Sequence, residues 1–159
     1  MNDALLFKWY SSMLNTNELE STMMPADLSS FMLFFRPPQA LFFKAESNSI
    51  WFAAWFSPLL NSAAFGIWVD KQHRSSKSAL KAGEEILEFG LKHNKVLVGV
   101  TAQEKLLDGH RRMGYTVLGE IPGLHTKKVW VVYLTREGFI NREMRLYMRS
   151  KREEVKEAG

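Results

Sequence analysis

The 159-residue sequence contains no cysteine. That excludes disulfides, thiolate-held zinc and a cysteine nucleophile, and it suits a reducing cytosol. Long apolar runs are missing too. Residues 31–43 are interrupted by Arg36-Pro37-Pro38 and residues 50–60 by Ser57-Pro58, so neither approaches the ~20 residues of a membrane-spanning helix. The opening Met1-Asn2-Asp3-Ala4 carries no basic stretch, and no secretory signal is expected. Nor is there an internal repeat, a low-complexity tract or a linker long enough to divide the chain, so a single domain is expected. The four histidines show no metal-ligand spacing, and His73 and His125 have no recognisable partners, so no metal is expected.

What the chain has in abundance is apolar and aromatic mass. Hydrophobic residues make up 46% and charged residues 24%, with 11 Phe, 5 Trp and 4 Tyr. These proportions belong to a globular protein. A chain of this length buries roughly 70% of its unfolded surface and needs no covalent staples. Eight methionines offer adaptable filling for a core or a binding surface. The net charge of +4 is small, and much of it falls near the C-terminus.

The apolar spacing predicts an amphipathic helix over residues 4–15, with Leu5, Leu6, Trp9 and Met13 on one side. Pro25-Ala26-Asp27 would open a second helix, closed by Pro37-Pro38. Three apolar, aromatic strands follow at 41–45, 50–56 and 63–69, which read as two hairpins of an antiparallel meander. Residues 78–92 then switch to helical spacing, with Ala79, Ala82, Ile86, Leu87 and Leu91 forming a wide apolar face. A short strand at 96–100, a helix over 102–113 stopped by Gly114, and a strand pair at 115–119 and 128–134 complete the order. The last ~20 residues read as one charged helix.

Chemistry is most readily placed between Val69 and Ala79. A strand ends, the polar loop Gln72-His73-Arg74-Ser75-Ser76-Lys77-Ser78 follows, and a strong helix begins. The first N–H groups of a helix lack internal partners and, with the helix dipole, attract anions. Arg74 and Lys77 add positive charge and the serines add hydroxyls, so this loop is a candidate phosphate site. The other possibility is that Ser75 or Ser76 is only an N-cap and the basic side chains are solvated.

The order strand, Arg74-Ser75-Ser76-Lys77-Ser78-Ala79, helix, strand 96–100, helix and His110-Arg111-Arg112-Met113-Gly114-Tyr115 resembles the GNAT-type N-acetyltransferases. Their core motif is a strand, Arg/Gln-x-x-Gly-x-Gly/Ala, a helix, a strand, a second helix and Tyr-x-x-x-Gly-Phe. The resemblance covers residues 62–120 by motif and the flanks by order. It implies a mixed, mostly antiparallel α/β sheet of six to seven strands with about four flanking helices, spanning residues 1–136. Residues 137–159 would add a basic helix or tail. It also implies acetyl-CoA as co-substrate, with a primary amine of a small molecule or protein as acceptor. Arg74, Ser75, Ser76, Lys77, Ser78 and Ala79 would hold the pyrophosphate. Trp68 and Val69 would lie on one of two splayed strands that receive the pantetheine arm, with 96–100 the other. Gln103 stands where many members carry a cofactor-contacting Asn, and His110 where many carry the Tyr that protonates the departing thiolate. Glu46 and Asp70 are the carboxylates nearest the expected cleft, where either would deprotonate the amine or simply be solvated.

Two residues depart from the pattern. Lys77 replaces a glycine that lets backbone approach phosphate, and His110 replaces the acid, a role that an imidazolium can fill near neutral pH. Erosion of this kind also fits a GNAT-like binding or structural protein without turnover, such as a component of a phage particle. The protein is thus expected in the cytoplasm or in a virion. Arg142, Arg145, Arg149 and Arg152 recur along one face of the last helix. This stripe would meet nucleic acid or an acidic protein, or be solvated, with Arg149 and Glu153 paired. A monomer or a homodimer is expected, with no membrane contact.

Overall fold

The computed structural model describes residues 3–46, 49–123 and 128–157, with side chains described to Glu153 except that of Lys151. His125 and the side chains of Glu154 and Glu157 therefore lie outside the described residues. Six strands form one sheet in the order β1-β2-β3-β4-β6-β5. The strands are β1 (Ala40–Glu46), β2 (Ser49–Leu59), β3 (Ser62–Val69), β4 (Val96–Thr101), β5 (Thr116–Glu120) and β6 (Trp130–Thr135). Every neighbouring pair is antiparallel except β3 and β4. The expected meander is present as β1-β2-β3. Five helices accompany the sheet: α1 (Asp3–Asn15), α2 (Leu28–Phe34), α3 (Lys77–His93), α4 (Leu107–Arg112) and α5 (Arg136–Glu157).

Several boundaries moved for physical reasons. Strand β2 runs through Ser57-Pro58 to Leu59, although proline was expected to end it. Strand β1 pairs with β2 only as far as Phe56, so Pro58 lies where β2 has become an edge and its missing N–H costs no ladder bond there. Pro25 does not open α2. Asp27 is the N-cap, its carboxylate accepting from the Ser30 amide at 2.8 Å. The helix expected over 102–113 is shorter. Thr101 Oγ1 accepts from the Gln103 amide at 3.2 Å, and a single 3-10 turn at Glu104–Leu106 precedes α4. The charged tail is helical from Arg136, with Thr135 Oγ1 accepting from the Gly138 amide at 3.0 Å as an N-cap does.

Two apolar clusters sit on opposite faces of the sheet. One gathers Leu6, Trp9, Met13, Phe31 and Phe35 of α1, α2 and the turn after them, with Ala53 and Trp68 of the sheet. The other gathers Ala82, Ile86, Leu87 and Leu91 of α3 with Phe52, Phe56, Leu97 and Leu134 of the sheet. Helix α3 has the apolar face its spacing predicts, and its ends are capped: Ser76 Oγ accepts from the Ala79 amide at 3.1 Å, and Asn94 Nδ2 donates to the Gly90 carbonyl at 3.0 Å. Lys92 and His93 sit in its last turn, where positive charge complements the helix dipole.

Helix α5 joins the body through glycine. A Cβ on Gly138 would stand 2.7 Å from the Gly114 carbonyl oxygen, and Gly114 itself has φ of +93°. Backbone meets backbone here, so neither position has room for a side chain. Gly138→Val should destabilise the protein by about 1–3 kcal/mol, the usual cost of overpacking. Chemical denaturation will read this as a lower midpoint with an unchanged slope.

Candidate active site

The site begins with an interruption in the sheet. Strands β3 and β4 run parallel and pair only over Ser62–Val96, Ala63–Leu97 and Ala64–Val98. Beyond these three pairs they part. Backbone N–H and C=O groups of residues 65–69 and 99–101 therefore border a gap instead of a neighbouring strand. Adjacent strands of a sheet normally satisfy each other's backbone, so a parted pair offers hydrogen-bonding edges to a ligand. A cleft of about 600 Å³ occupies the gap.

The cleft communicates with both faces of the sheet. On the α3 face its walls include Phe65, Ala79, Gly83, Leu87, Met113 and Tyr115. On the α1/α2 face they include Met24, Trp55 and Trp68, with Met23 and Phe34 beside them. Gly66 and Gly99 sit mid-strand on its borders. A Cβ on Gly66 would overlap the indole of Trp55, its cross-strand partner. Glycine inside a strand often marks such a close approach, a signal legible in the sequence.

Of the residues singled out from sequence, Trp68, Val69, Ala79, Gln103 and His110 line this cleft. His110 Nδ1 donates to the Leu106 carbonyl at 2.7 Å. The proton on Nδ1 leaves Nε2 as the nitrogen free to exchange one. Tyr115 packs against the imidazole edge to face, centroids 5.2 Å apart. Its phenol is only 6% exposed, and burial pushes its pKa well above the ordinary tyrosine value. Tyr115 is a candidate that sequence reasoning missed, because the motif gives that position to an apolar ring.

Arg74, Ser75 and Ser76 form the loop entering α3, Lys77 and Ser78 begin the helix, and none of the five lines the cleft. Ser76 is the N-cap and binds the Ala79 amide, so that amide is already committed. Leu80 donates to the Ser76 carbonyl at 3.1 Å, while the amides of Lys77 and Ser78 take no part in the capping bonds. Ser75 adopts φ of +67°, which turns the chain into the helix. The Arg74 guanidinium faces inward. Its Nε donates to the Val69 carbonyl at 3.0 Å and its Nη2 pairs with Glu18.

Glu18 was not anticipated. It lies in the turn after α1, is 4% exposed, and also accepts from Trp68 Nε1 and Thr16 Oγ1, each at 3.0 Å. Burial alone would raise its pKa. The hydrogen bonds from Arg74, Trp68 and Thr16, together with the Arg74 charge, outweigh burial and hold it below the ordinary value. This carboxylate ties the α1–α2 connection to β3 and to the loop before α3. A polar residue in a polar turn gives no sequence signal of such burial.

Glu46 and Asp70 are brought together, but around His73 and outside the lining of the cleft. His73 Nε2 lies 3.3 Å from Glu46 and Nδ1 lies 3.5 Å from Asp70, with the ring stacked on Trp51 at 5.2 Å. The expectation that His73 lacks partners is thereby corrected. Asp70 lies only three residues before it in the chain, whereas Glu46 comes from the end of β1, which only the folded sheet brings near.

The arginine stripe is also revised. Arg142 is 13% exposed, lines the cleft and pairs with Glu84 of α3 at 2.7 Å, and with Glu143. Its helical turn is the one that packs on the body. Arg145, Arg149 and Arg152 remain exposed, and Arg149 pairs with Glu153 at 3.1 Å as expected. Among the described residues, no helix is long and apolar enough to cross a membrane.

No protein-family model and no curated protein matches the sequence. Solved structures do. A spermidine N-acetyltransferase variant from Vibrio cholerae superposes with a TM-score of 0.66 at 13% identity, covering 90% of this chain and 96% of that one. The enzyme of that organism in complex with CoA and spermine gives 0.66 at 12% identity, covering 88% and 94%. An N-acetyltransferase from Staphylococcus aureus Mu50 gives 0.59 at 18% identity, covering 84% and 91%. The chain has the fold of the GNAT-type N-acetyltransferases.

Proposed function

We propose that this protein is an acyl-CoA-dependent N-acetyltransferase that moves an acetyl group from acetyl-CoA to an amine. The observation that carries this reading is the cleft where β3 and β4 part, open to both faces of the sheet, in a fold shared with N-acetyltransferases. One structural neighbour holds CoA and spermine together. The exposed edges of β3 and β4 suit an extended amide-bearing arm, which would add to them as a strand does. The amides of Lys77 and Ser78, at the start of α3, would meet the diphosphate, with the Lys77 ammonium compensating for the glycine it replaces. Arg74 would act by holding this loop in shape through Glu18 and Val69.

In the reaction the amine nitrogen attacks the thioester carbonyl. A C–N bond forms and the C–S bond breaks. Backbone N–H groups on the open edge of β3, near Trp68 and Val69, would stabilise the developing oxyanion. The attacking nitrogen sheds a proton to solvent and the leaving thiolate takes one up, which His110 and Tyr115 are the lining groups placed to give. His110→Ala should lower the rate of free-thiol release on the order of 100-fold with acetyl-CoA binding retained. An unchanged rate would assign the step to Tyr115 or to water.

The direct test is calorimetry with acetyl-CoA. Saturable 1:1 binding is expected. Val100, half exposed on the border of the cleft, offers a way to block it without disturbing the core. Val100→Trp should weaken binding by about tenfold or more, equivalent to ~1.4 kcal/mol. Absence of binding by the wild type would defeat the enzymatic reading and favour a second one, a binding or structural role without turnover. The engagement of Arg74 by Glu18 is the observation behind that alternative.

A further inference from the structure

The face of the cleft opposite α3 says what kind of amine it takes. Met23, Met24, Phe34, Trp55 and Trp68 line it. Trp55 packs against Gly66 and is held by Trp9 and Phe35, with centroids 5.6 and 5.5 Å from it. One wall is therefore a fixed, partly exposed indole. The polar groups at this end are uncharged: the hydroxyls of Ser21 and Thr22, which both donate to the Glu18 carbonyl, at 3.1 and 2.7 Å.

Charge is arranged in the same sense. Among the described residues that line the cleft the one carboxylate is Glu84, on the α3 side, and it is ion-paired with Arg142. An alkylammonium entering this space would lose its hydration without gaining a counter-ion, which is costly. It would also have to shed a proton before attacking. A weakly basic aromatic amine meets neither obstacle, because it is neutral at pH 7 and its ring can stack on the indole, a contact worth roughly 0.5–1.5 kcal/mol beyond the area buried.

From this we infer that the acceptor is a flat, weakly basic aromatic amine, seated against Trp55 between the methionines and Phe34. The inference rests on the acetyltransferase reading above. It separates this cleft from one built for a polyamine such as the spermine held by the structural neighbour.

Two measurements on the full chain test it in sequence. The first is calorimetry of CoA alone, then of p-toluidine or spermidine added to the CoA-saturated protein. The second is mass-spectrometric detection of acetylated product from p-toluidine, spermidine and a lysine peptide with acetyl-CoA at pH 7. Binding of p-toluidine to the CoA complex is expected, with at least tenfold higher kcat/KM than for spermidine. Phe34 is 45% exposed at the rim, so Phe34→Glu supplies a free carboxylate with little risk to folding and should shift the preference toward spermidine by about tenfold. If CoA binds and spermidine or the peptide is acetylated while p-toluidine neither binds nor reacts, the acceptor inference is overturned and the acetyltransferase reading stands. If CoA fails to bind, both fall together.

Discussion

Replacing Trp9 by alanine should cost about 3–5 kcal/mol of stability and lower the melting temperature by roughly 10 °C or more. Trp9 has no exposed surface. Its ring contacts those of Phe31, Phe35, Phe43, Trp55 and Trp68 at centroid distances between 4.7 and 6.4 Å. It therefore bolts α1 and α2 to the sheet and stands directly behind the indole that forms the acceptor wall. Alanine would leave a cavity that these five aromatic neighbours cannot easily close. Trp9→Phe keeps part of this packing and removes a buried indole N–H that has no hydrogen-bond partner among the described residues, so its loss should be clearly smaller. Thermal denaturation of the two variants checks the order. Equal losses would show that packing at this site is not what matters.

The second large effect is expected at Glu18. Removing one member of a buried ion pair leaves the other uncompensated, at about 3–5 kcal/mol for a fully buried pair. The Arg74 side chain is 46% exposed, so Glu18→Ala belongs at the low end of that range. The variant also strands the Trp68 indole N–H, which loses its acceptor. The pH dependence has a definite sign. Because the folded-state pKa is held below the ordinary value of 4.5, the carboxylate contributes its full stability above that value. The contribution is lost as pH falls through the lower folded-state value. Wild type and Glu18→Ala should therefore differ most near neutrality and begin to converge as pH falls below 4.5, which urea titrations at several pH values will measure. A constant gap down to pH 2 would mean that packing, not charge, explains the loss. Freeing Arg74 and the residues after α1 should also raise KM for the acceptor more than it lowers kcat, since Met23 and Met24 follow Glu18 closely in the chain.

Much of the architecture was legible because it depends on local periodicity. The 3.6-residue spacing through Ala82, Ile86 and Leu91 marked α3 within a residue or two. Alternation and turn residues marked all six strands. Errors fell where a distant partner changed a local rule. Pro58 is tolerated in β2 because β1 has already ended, and Asp27 rather than Pro25 starts α2 because its side chain caps the Ser30 amide. Within the site, Trp68, Val69, Ala79, Gln103 and His110 were found from sequence because the motif ties them to elements adjacent in the chain. Trp55 was not, and Arg142 was singled out only as part of the basic stripe, because both reach the cleft from elements outside the motif.

By itself, then, the sequence determined the elements and their order, while the splayed pair was implied by the resemblance of its motif to the GNAT-type N-acetyltransferases. The elements follow from backbone preferences and side-chain period, which act over a few residues. Only the tertiary structure decided which charges are free. Arg74 with Glu18 and Arg142 with Glu84 stand 56 and 58 residues apart in the chain. The first pair occupies the arginine of the loop before α3, and the second neutralises the arginine that lines the cleft, which leaves an aromatic slot with little free charge among its described residues. Charge neutralisation depends on distance in space, and sequence separation carries almost no information about it.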